Sequence, residues 1–196
     1  ATQRARWDAF VLACPEATFF HRAGWEPLMR EVFRHDTYFL YTEVDGELSG
    51  VLPLVHVQSR LFGRSLCSLP FAAYGGAATQ GEAQAIAQRL GVDHLELRHT
   101  QRRHPDWPAQ DLYVTFRKPI EETEEANMLA IPRKQRAMVR KGIKNGLVSH
   151  IDADVDRFFA LYADNVHRHG TPALPKRYFA ALLDTFGEDC EVLTVT

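Results

Sequence analysis

The feature that most constrains the fold is a match between two segments of the same chain. Residues 25–36, WEPLMREVFRHD, align without a gap on residues 178–189, YFAALLDTFGED, and Phe33 meets Phe186 in this alignment. The segments that follow, YFLYTE and EVLTVT, both have strand character, so each copy has a helix followed by a strand. The match predicts an internal duplication. The alternative is a chance similarity, because helix-to-strand units share such patterns.

Hydrophobic periodicity divides the first 120 residues into helices and strands. Helical spacing of apolar residues predicts helices at 6–13, 24–33 and 82–90, and apolar runs predict strands at 38–44, 50–57, 65–71, 94–98 and 112–117. Asp45-Gly46 lies between the first two strands and is typical of a hairpin turn, and the polar stretch 100–110 predicts a loop. We expect an α/β (α+β) domain at 1–120, with a mixed, mostly antiparallel sheet flanked by helices.

Residues 121–196 predict a second domain that opens with an acidic linker and a basic helix. Further helices are predicted at 155–167 and 176–186, and a strand at 191–196. If the duplication holds, this second copy lacks counterparts of the strands at 50–57 and 65–71. We therefore expect a truncated copy with an unpaired strand edge.

The composition excludes several classes of protein. With 45% hydrophobic and 24% charged residues, the chain matches an ordinary globular protein, and a pI near 6.5 argues against a duplex DNA partner. The three cysteines lack metal-ligand spacing and fit reduced thiols in the cytoplasm, so no disulfide and no metal are expected. No apolar run is long enough to span a bilayer. Because the sequence begins at Ala1, we expect that the natural N-terminus lies upstream.

The stretch IPRKQRAMVRKGIKNGL concentrates positive charge in a chain whose net charge is only −2. Pro132 suits a helix start and Asn145-Gly146 a left-handed helix end, which predicts a basic helix. Val139 and Ile143 form an apolar pair that we expect to be docked. Another face presents groups that bind phosphate oxygens well. The candidate phosphate- or substrate-binding residues are Arg133, Lys134, Arg136, Arg140, Lys141 and Lys144.

A solvated surface is the alternative for this helix. Four acidic residues directly precede it, namely Glu121, Glu122, Glu124 and Glu125. They are close enough in sequence to neutralise the helix by surface ion pairs, and charge runs are commonly exposed to solvent. The sequence leaves both interpretations open.

A second basic cluster ends the helix predicted at 155–167. His167, Arg168 and His169 form a candidate site at the domain junction, where an imidazole can take a proton from an amine nucleophile. The alternative is a helix end whose basic residues complement the helix dipole, with Gly170 as the cap. A zinc site needs more ligands than His-x-His supplies.

Several motifs carry a resemblance to a known family. SRLFGRSLCSLPFAAYGG, HLELR, IPRKQRAMVRKGIKNGL and NVHRHGTPALPKRYF are similar to segments of the FemAB-related proteins associated with PEP-CTERM exosortase systems. The resemblance covers essentially the whole chain. It implies tandem GNAT-like acyl-CoA N-acyltransferase domains, with the basic helix opening the second domain.

The resemblance also implies a reaction, which is acyl transfer to an amine. Fem-type enzymes move an amino acid from aminoacyl-tRNA to a peptidoglycan precursor, and other GNAT relatives use acyl-CoA. Either donor is a substrate rather than a permanently bound cofactor, and both are anionic. The acceptor would belong to the cell envelope or an exopolysaccharide, and the protein would work in the cytoplasm, at the inner face of the membrane. No catalytic residue is assigned.

Two segments are compared with motifs that the resemblance implies. Tyr74, Gly75 and Gly76 stand where Fem-type enzymes carry Pro-Arg-Gly-Pro near the acceptor, although the arginine is lacking here. Glycines let the backbone approach a ligand and a tyrosine can donate or stack; the alternative is a glycine-rich exit from a strand. The nearest match to a coenzyme A loop, at residues 60–65, is better explained as a hairpin turn.

Other functions remain compatible with the sequence. A noncatalytic module could use the basic helix to bind phosphate, RNA (tRNA included) or an acidic partner protein, and its binding would depend strongly on salt. A structural scaffold in a membrane-associated assembly is a third class. A transferase is expected to distinguish aminoacylated tRNA from uncharged tRNA, whereas the binding module and the scaffold are not.

Overall fold

The computed structural model describes residues 2–59, 61, 63–75, 83–110, 112 and 114–196. The chain forms two compact units. The first consists of Ala1–Asp106 with Arg177–Phe186, and the second of Trp107–Lys176 with Gly187–Thr196. These units are compact regions of the folded chain, whereas the predicted domains are copies of a duplicated sequence. The predicted domain boundary at residue 120 therefore stays a prediction.

A four-stranded sheet with the order β1-β2-β3-β4 forms the centre of the first unit. Its strands are β1 (Asp36–Val44), β2 (Glu47–Ser59), β3 (Gly63–Cys67) and β4 (His94–Glu96). The first three strands are antiparallel neighbours, whereas β4 is parallel to β3. A parallel pair requires a crossover, and helix α3 lies on it. The expected mixed, mostly antiparallel sheet with flanking helices is therefore confirmed.

Besides a 3-10 turn at Phe19–His21, three longer helical segments accompany this sheet in the described part of the first half of the chain. They are α1 (Gln3–Ala13), α2 (Trp25–Pro27), which continues as a π-helical turn over Leu28–Val32, and α3 (Ala83–Leu90). The Thr2 hydroxyl caps α1 by accepting a hydrogen bond from the Ala5 backbone N–H at 3.3 Å. The predicted helices at 6–13, 24–33 and 82–90 are confirmed, with ends shifted by one to three residues.

Strand β2 is buried on both faces, and this burial places the core. Leu52 belongs to the same apolar cluster as Ile86 of α3, whereas Val51 belongs to a cluster with Trp7 of α1. Successive strand residues point to opposite faces, so one helix covers each side of the sheet. Such double coverage explains why the β2 sequence is an apolar run rather than an alternation.

The turn between β1 and β2 has the predicted form. Val44 pairs with Glu47, so Asp45 and Gly46 form a two-residue loop. Their φ angles are 51° and 84°, and both lie in the left-handed region that a type I′ hairpin requires. Aspartate and glycine tolerate that region better than other residues do, which is why the dipeptide predicts the turn.

The second unit combines two short strands with three helices. The strands β5 (Ser149–Asp152) and β6 (Val192–Val195) are antiparallel, and the helices are α4 (Glu124–Ala130), α5 (Arg133–Lys144) and α6 (Asp156–Arg168). In the described part of the chain each strand has a single neighbour. The cross-strand partners Ile151 and Leu193 are 62% and 59% exposed. Among the described residues an unpaired strand edge is therefore present, as expected, and the exposed apolar face is a feature that the sequence analysis did not predict.

Helix α7 (Lys176–Phe186) brings the second aligned segment against the first. The rings of Trp25 and Phe186 are 5.3 Å apart, and those of Phe33 and Tyr178 are 5.2 Å apart. The alignment equates Trp25 with Tyr178 and Phe33 with Phe186. The two contacts are thus reciprocal, because the first residue of each segment meets the ninth residue of the other. A two-fold relation between like helices produces contacts of this kind.

The two aligned segments also end alike. Arg34 has φ 58° and its aligned counterpart Gly187 has φ 52°. A left-handed residue at this point ends a helix, and it is costlier for arginine than for glycine. The conformation is therefore common to both segments even though the residue types differ.

Two predictions about individual elements were wrong or incomplete. The described residues of 112–117 form no strand; Val114 and Phe116 are 74% and 92% exposed, because no neighbouring strand covers them. The strand expected at 65–71 ends at Cys67, since Leu69 and Phe71 have φ 48° and 64°. Apolar character alone does not reveal such backbone turns.

Two elements were missed by sequence reasoning. The acidic linker contains α4, which is capped by Thr123 through a 3.2 Å bond from the Ala126 N–H to the threonine hydroxyl. The short strand β5 was also missed, since four residues give too little periodicity. Within the described residues, no helix has the length and apolarity needed to cross a bilayer.

Truncating Phe186 tests the aromatic contacts. Phe186 is 7% exposed and lies 4.6 Å from the Phe19 ring. We expect Phe186→Ala to lower the free energy of unfolding by about 3 kcal/mol or more, because a large buried ring is lost and a cavity remains. Phe116→Ala, at a site 92% exposed, should change stability by less than about 0.5 kcal/mol. Urea unfolding measures both, and equal effects would contradict the packing.

Candidate functional site

The basic helix α5 occupies the predicted residues and has well-defined ends. Pro132 is the residue before the first helical turn, where its missing N–H costs nothing. At the other end the Gly146 N–H donates to the Ile143 carbonyl at 3.0 Å and the Leu147 N–H donates to the Gly142 carbonyl at 3.2 Å. This pair of bonds, with Gly146 at φ 80°, is a Schellman cap.

The six basic side chains of α5 divide into one with a structural role and five that form no ion pair within the described part of the chain. Arg136 is half-buried, and its guanidinium donates to the Leu129 carbonyl at 3.2 Å and to the Ile131 carbonyl at 3.1 Å. It therefore satisfies carbonyls at the end of α4. The other five are exposed and form no ion pair with any described residue; they are Arg133, Lys134, Arg140, Lys141 and Lys144.

Neither the docking nor the neutralisation expected for α5 is observed. Val139 and Ile143, expected to be docked, are 40% and 64% exposed, so that prediction was wrong. In the described part of the chain, the four preceding glutamates form no ion pair with the helix either. The positive field of α5 is therefore not offset by neighbouring carboxylates of the described residues. The exposure of the helix agrees with the solvated alternative, whereas the expected neutralisation is not observed.

The segment Ser68–Gly75 of the first unit is a strained loop that Arg98 holds in place by hydrogen bonds. Leu69 and Phe71 both lie in the left-handed region, which is costly for residues of that size. The backbone N–H of Arg98 donates to the Ser68 hydroxyl at 2.7 Å, and the side-chain Nη1 of Arg98 donates to the Ala72 carbonyl at 3.0 Å. The loop is thus fixed in a conformation that it would not adopt alone.

This loop contains two of the predicted ligand-approach residues. The Gly75 N–H donates to the Arg98 carbonyl at 3.3 Å, and a Cβ at Gly75 would lie 2.6 Å from that of Leu69. Glycine is therefore required for close packing at this point. Tyr74 is half-buried and its ring lies 5.8 Å from that of Phe20. Gly76 lies outside the described residues.

Tyr74 lines a small cleft that also contains basic residues missed by sequence reasoning. Arg98, His99 and Arg103 contribute to its wall. Burial lowers the pKa of His99 to about 4, and the nearby His104 and Arg103 add to this effect. The sequence signal is the density of arginine and histidine in RHTQRRH, most of which falls in the polar stretch 100–110 that predicts a loop.

The cluster His167, Arg168 and His169 is a capped helix end. All three side chains are exposed, and Arg168 forms an ion pair with Asp164 one turn earlier. The Gly170 N–H donates to the His167 carbonyl at 3.0 Å and the Thr171 N–H to that of Val166 at 2.9 Å, which is a second Schellman cap. The described residues contain no cluster suited to hold a metal ion.

The segment compared with a coenzyme A loop connects β2 to β3. Ser59 pairs with Gly63 across the antiparallel ladder, and Gly63 has φ 80°. Arg60 and Phe62 lie outside the described residues. The interpretation of this segment as a hairpin turn is therefore confirmed.

Comparison with solved structures assigns the fold. The mixed sheet and flanking helices belong to the α/β class. More particularly, the chain is similar to the crystal structure of FemX, with a TM-score of 0.56 and 17% sequence identity over 100% of this chain and 56% of that chain. The chain thus spans little more than half the length of FemX, and its fold is FemAB-like. No protein-family model matches the sequence, and no curated protein does.

Replacing Arg136 tests its structural role. We expect Arg136→Met, which keeps most of the aliphatic stem, to lower the free energy of unfolding by about 1–2 kcal/mol, because two carbonyls lose a charged donor. Arg140→Met removes the same charge from an exposed site on the same helix and should cost less than about 0.5 kcal/mol. Urea unfolding compares the two, and a larger loss for Arg140→Met would contradict the assignment.

His99 predicts a pH dependence of stability. Its folded pKa of about 4 lies below the ordinary value of 6.5, so the unfolded chain binds a proton first as the pH falls. The stability associated with neutral His99 is complete above about pH 6.5 and is lost progressively towards pH 4. We expect His99→Gln to flatten the slope of unfolding free energy against pH in that window. His35, whose pKa burial also lowers, retains part of the slope.

Proposed function

We propose that the chain belongs to a FemAB-like transferase that moves an acyl or aminoacyl group to an amine. One observation carries the proposal, namely a FemAB-like fold that presents a helix with five exposed cations, none of which forms an ion pair with a described residue. A cluster of like charges is electrostatically unfavourable unless an anion lies opposite it. Both acyl-CoA and aminoacyl-tRNA supply such an anion through their phosphates.

The proposed role of α5 is to hold the phosphates of the donor or acceptor. Arg133, Arg140 and Lys144 lie at spacings of seven and four residues, so they form one line along the helix. A line of cations suits a phosphate chain, and it orients the acyl group without contacting the reacting carbon. Arg136 is removed from this set, because its donors are already satisfied by backbone carbonyls.

The proposed chemical step follows from the substrates. The unprotonated amine attacks the acyl carbon, forming a C–N bond and a tetrahedral oxyanion. The oxyanion then collapses and breaks the C–S bond of an acyl-CoA or the C–O bond of an aminoacyl ester, and the amine proton passes to the leaving group. Stabilising the oxyanion with backbone N–H groups is the usual requirement.

Topology supports the GNAT-like interpretation of the first unit. Three antiparallel strands are followed by a helix and a strand parallel to the third, which is the element order expected from the resemblance. The reciprocal contacts of Trp25 with Phe186 and of Phe33 with Tyr178 support the tandem duplication. The shared left-handed conformation at Arg34 and Gly187 supports it independently.

The proposed acceptor is an amine of the cell envelope. A peptidoglycan precursor or an exopolysaccharide-related amine, modified at the cytoplasmic face of the membrane, fits the FemAB-type and PEP-CTERM resemblance. The segment at Tyr74 lacks the arginine of the Pro-Arg-Gly-Pro motif. This difference favours an acceptor that is not the one used by the best-known Fem-type enzymes.

A noncatalytic binding module is the second candidate, and the surface of α5 favours it. Met138 and Ile143 are 65% and 64% exposed beside the unpaired cations. Exposed apolar groups among cations suit an RNA or an acidic protein partner as well as a small substrate.

Binding competition tests the transferase. We expect aminoacylated tRNA or acyl-CoA to bind the protein and to be displaced poorly by deacylated tRNA. Arg140→Glu should weaken donor binding by at least about tenfold at low salt, because one phosphate contact becomes a repulsion. Arg89→Glu, an equal charge change on the exposed face of α3, serves as the matched control and should leave affinity within about twofold.

The outcomes separate the candidates. Preference for the acylated tRNA supports aminoacyl transfer, and displacement of all ligands by acyl-CoA supports an acyl-CoA-dependent enzyme. Equal binding of charged and uncharged tRNA, with strong salt dependence, favours the binding module. Wild-type affinity in Arg140→Glu would remove α5 from the site.

A further inference from the structure

A cleft in the first unit combines several polar side chains that the proposed function leaves unused. It is a small, half-open cleft, whose empty space is about 240 Å³ when the part open to solvent is included. The cleft is lined by Glu16, His21, Tyr74, Arg98, His99, Thr100 and Arg103. These residues come from the segment after α1, the strained loop and the segment after β4, so the tertiary fold assembles the cleft.

His99 provides the first argument that the cleft is built for a ligand. Its Nε2 atom is buried and has no hydrogen-bond partner among the described residues. A buried polar atom without a partner costs free energy, and such atoms are uncommon in proteins. A neutral imidazole carries one N–H, which in one tautomer is at Nε2 and can donate to an oxygen in the cleft.

Arg103 provides the second argument. It forms an ion pair with Glu16 at 2.7 Å, and the two side chains are 36% and 54% exposed. Exposed pairs contribute about 0–1 kcal/mol, so a competing carboxylate or phosphate can displace Glu16 at little cost. The Glu16 carboxylate thus marks where an external oxyanion would bind the guanidinium.

Arg98 positions the loop rather than the ligand. Its Nε donates to the Glu96 carboxylate at 2.6 Å and its Nη1 to the Ala72 carbonyl at 3.0 Å. The Glu96 carboxylate offsets its charge, whereas among the described residues the charge of Arg103 is offset by the exposed Glu16 alone. The exchangeable positive charge of the cleft therefore belongs to Arg103.

We propose that this cleft binds an oxyanion, a carboxylate or a phosphate, which replaces Glu16 on Arg103 and accepts a hydrogen bond from His99 Nε2–H. The site requires the strained loop, because the loop contributes Tyr74 to the wall of the cleft. The inference is independent of acyl transfer and concerns recognition alone.

A bound oxyanion should also change the titration of His99. The groups that face it are His21, His104, Arg98 and Arg103, together with Glu16 and Tyr74. The cationic neighbours disfavour the imidazolium, and a bound anion offsets them. Affinity should consequently increase as the pH falls from 7 towards the free-state pKa of about 4.

Titration with inorganic phosphate and with acetate, followed by NMR of the histidine ring protons, tests the site. We expect a saturable shift of the His99 ring resonances with at least one of the two anions. Arg103→Gln should weaken binding by at least about tenfold, because a charge-assisted hydrogen bond is lost. Glu16→Gln removes the internal competitor and should tighten binding by roughly threefold.

The matched control is Arg89→Gln, which changes the net charge equally on the exposed face of α3 and should leave both affinities within about twofold. A shift with phosphate alone identifies a phosphate site, and one with acetate alone a carboxylate site. No saturable His99 shift with either anion, or equal weakening by Arg103→Gln and Arg89→Gln, overturns the proposal. Neither result depends on an acyl donor, so the proposed function is tested separately.

Discussion

Burial of β2 on both faces is the constraint on which the first unit depends. Because α1 covers one side and α3 the other, every residue from Gly50 to His56 is removed from solvent, and the sheet cannot slip its register without exposing one of two apolar clusters. The fixed sheet in turn fixes the ends of β3 and β4, from which the strained loop and the segment containing Arg98 emerge. The cleft geometry is thus a consequence of the core.

The aromatic contacts around α2 and α7 have a comparable role. Trp25 and Phe33 on one helix meet Phe186 and Tyr178 on the other, and each of these rings buries a large apolar area. Arg177 reinforces the helix pair by donating to the Val32 carbonyl at 2.6 Å. Residues distant in sequence thereby join the first unit, which is why compact units and predicted domains do not share a boundary.

Charge is distributed differently in the two candidate binding regions. On α5 five of the six cations are exposed and form no ion pair with a described residue, so they act at long range and are screened by salt. In the cleft each arginine has a carboxylate partner, and selectivity comes from geometry and from the orphaned His99 nitrogen instead. The first arrangement suits attraction of a large polyanion. The second suits recognition of a single oxyanion, since exchangeable partners cost little to replace.

The sequence by itself determined the elements with strong local signals: the Asp45-Gly46 hairpin, both ends of α5 and the Gly170 cap, because turn chemistry acts through the nearest residues. Tertiary structure decided what periodicity cannot encode. It left the described residues of 112–117 without a strand partner, turned the chain at Leu69 and engaged Arg136 with carbonyls. It also brought Glu16, Tyr74 and Arg103 to one cleft, because long-range contacts of the folded core, rather than local propensity, place them together.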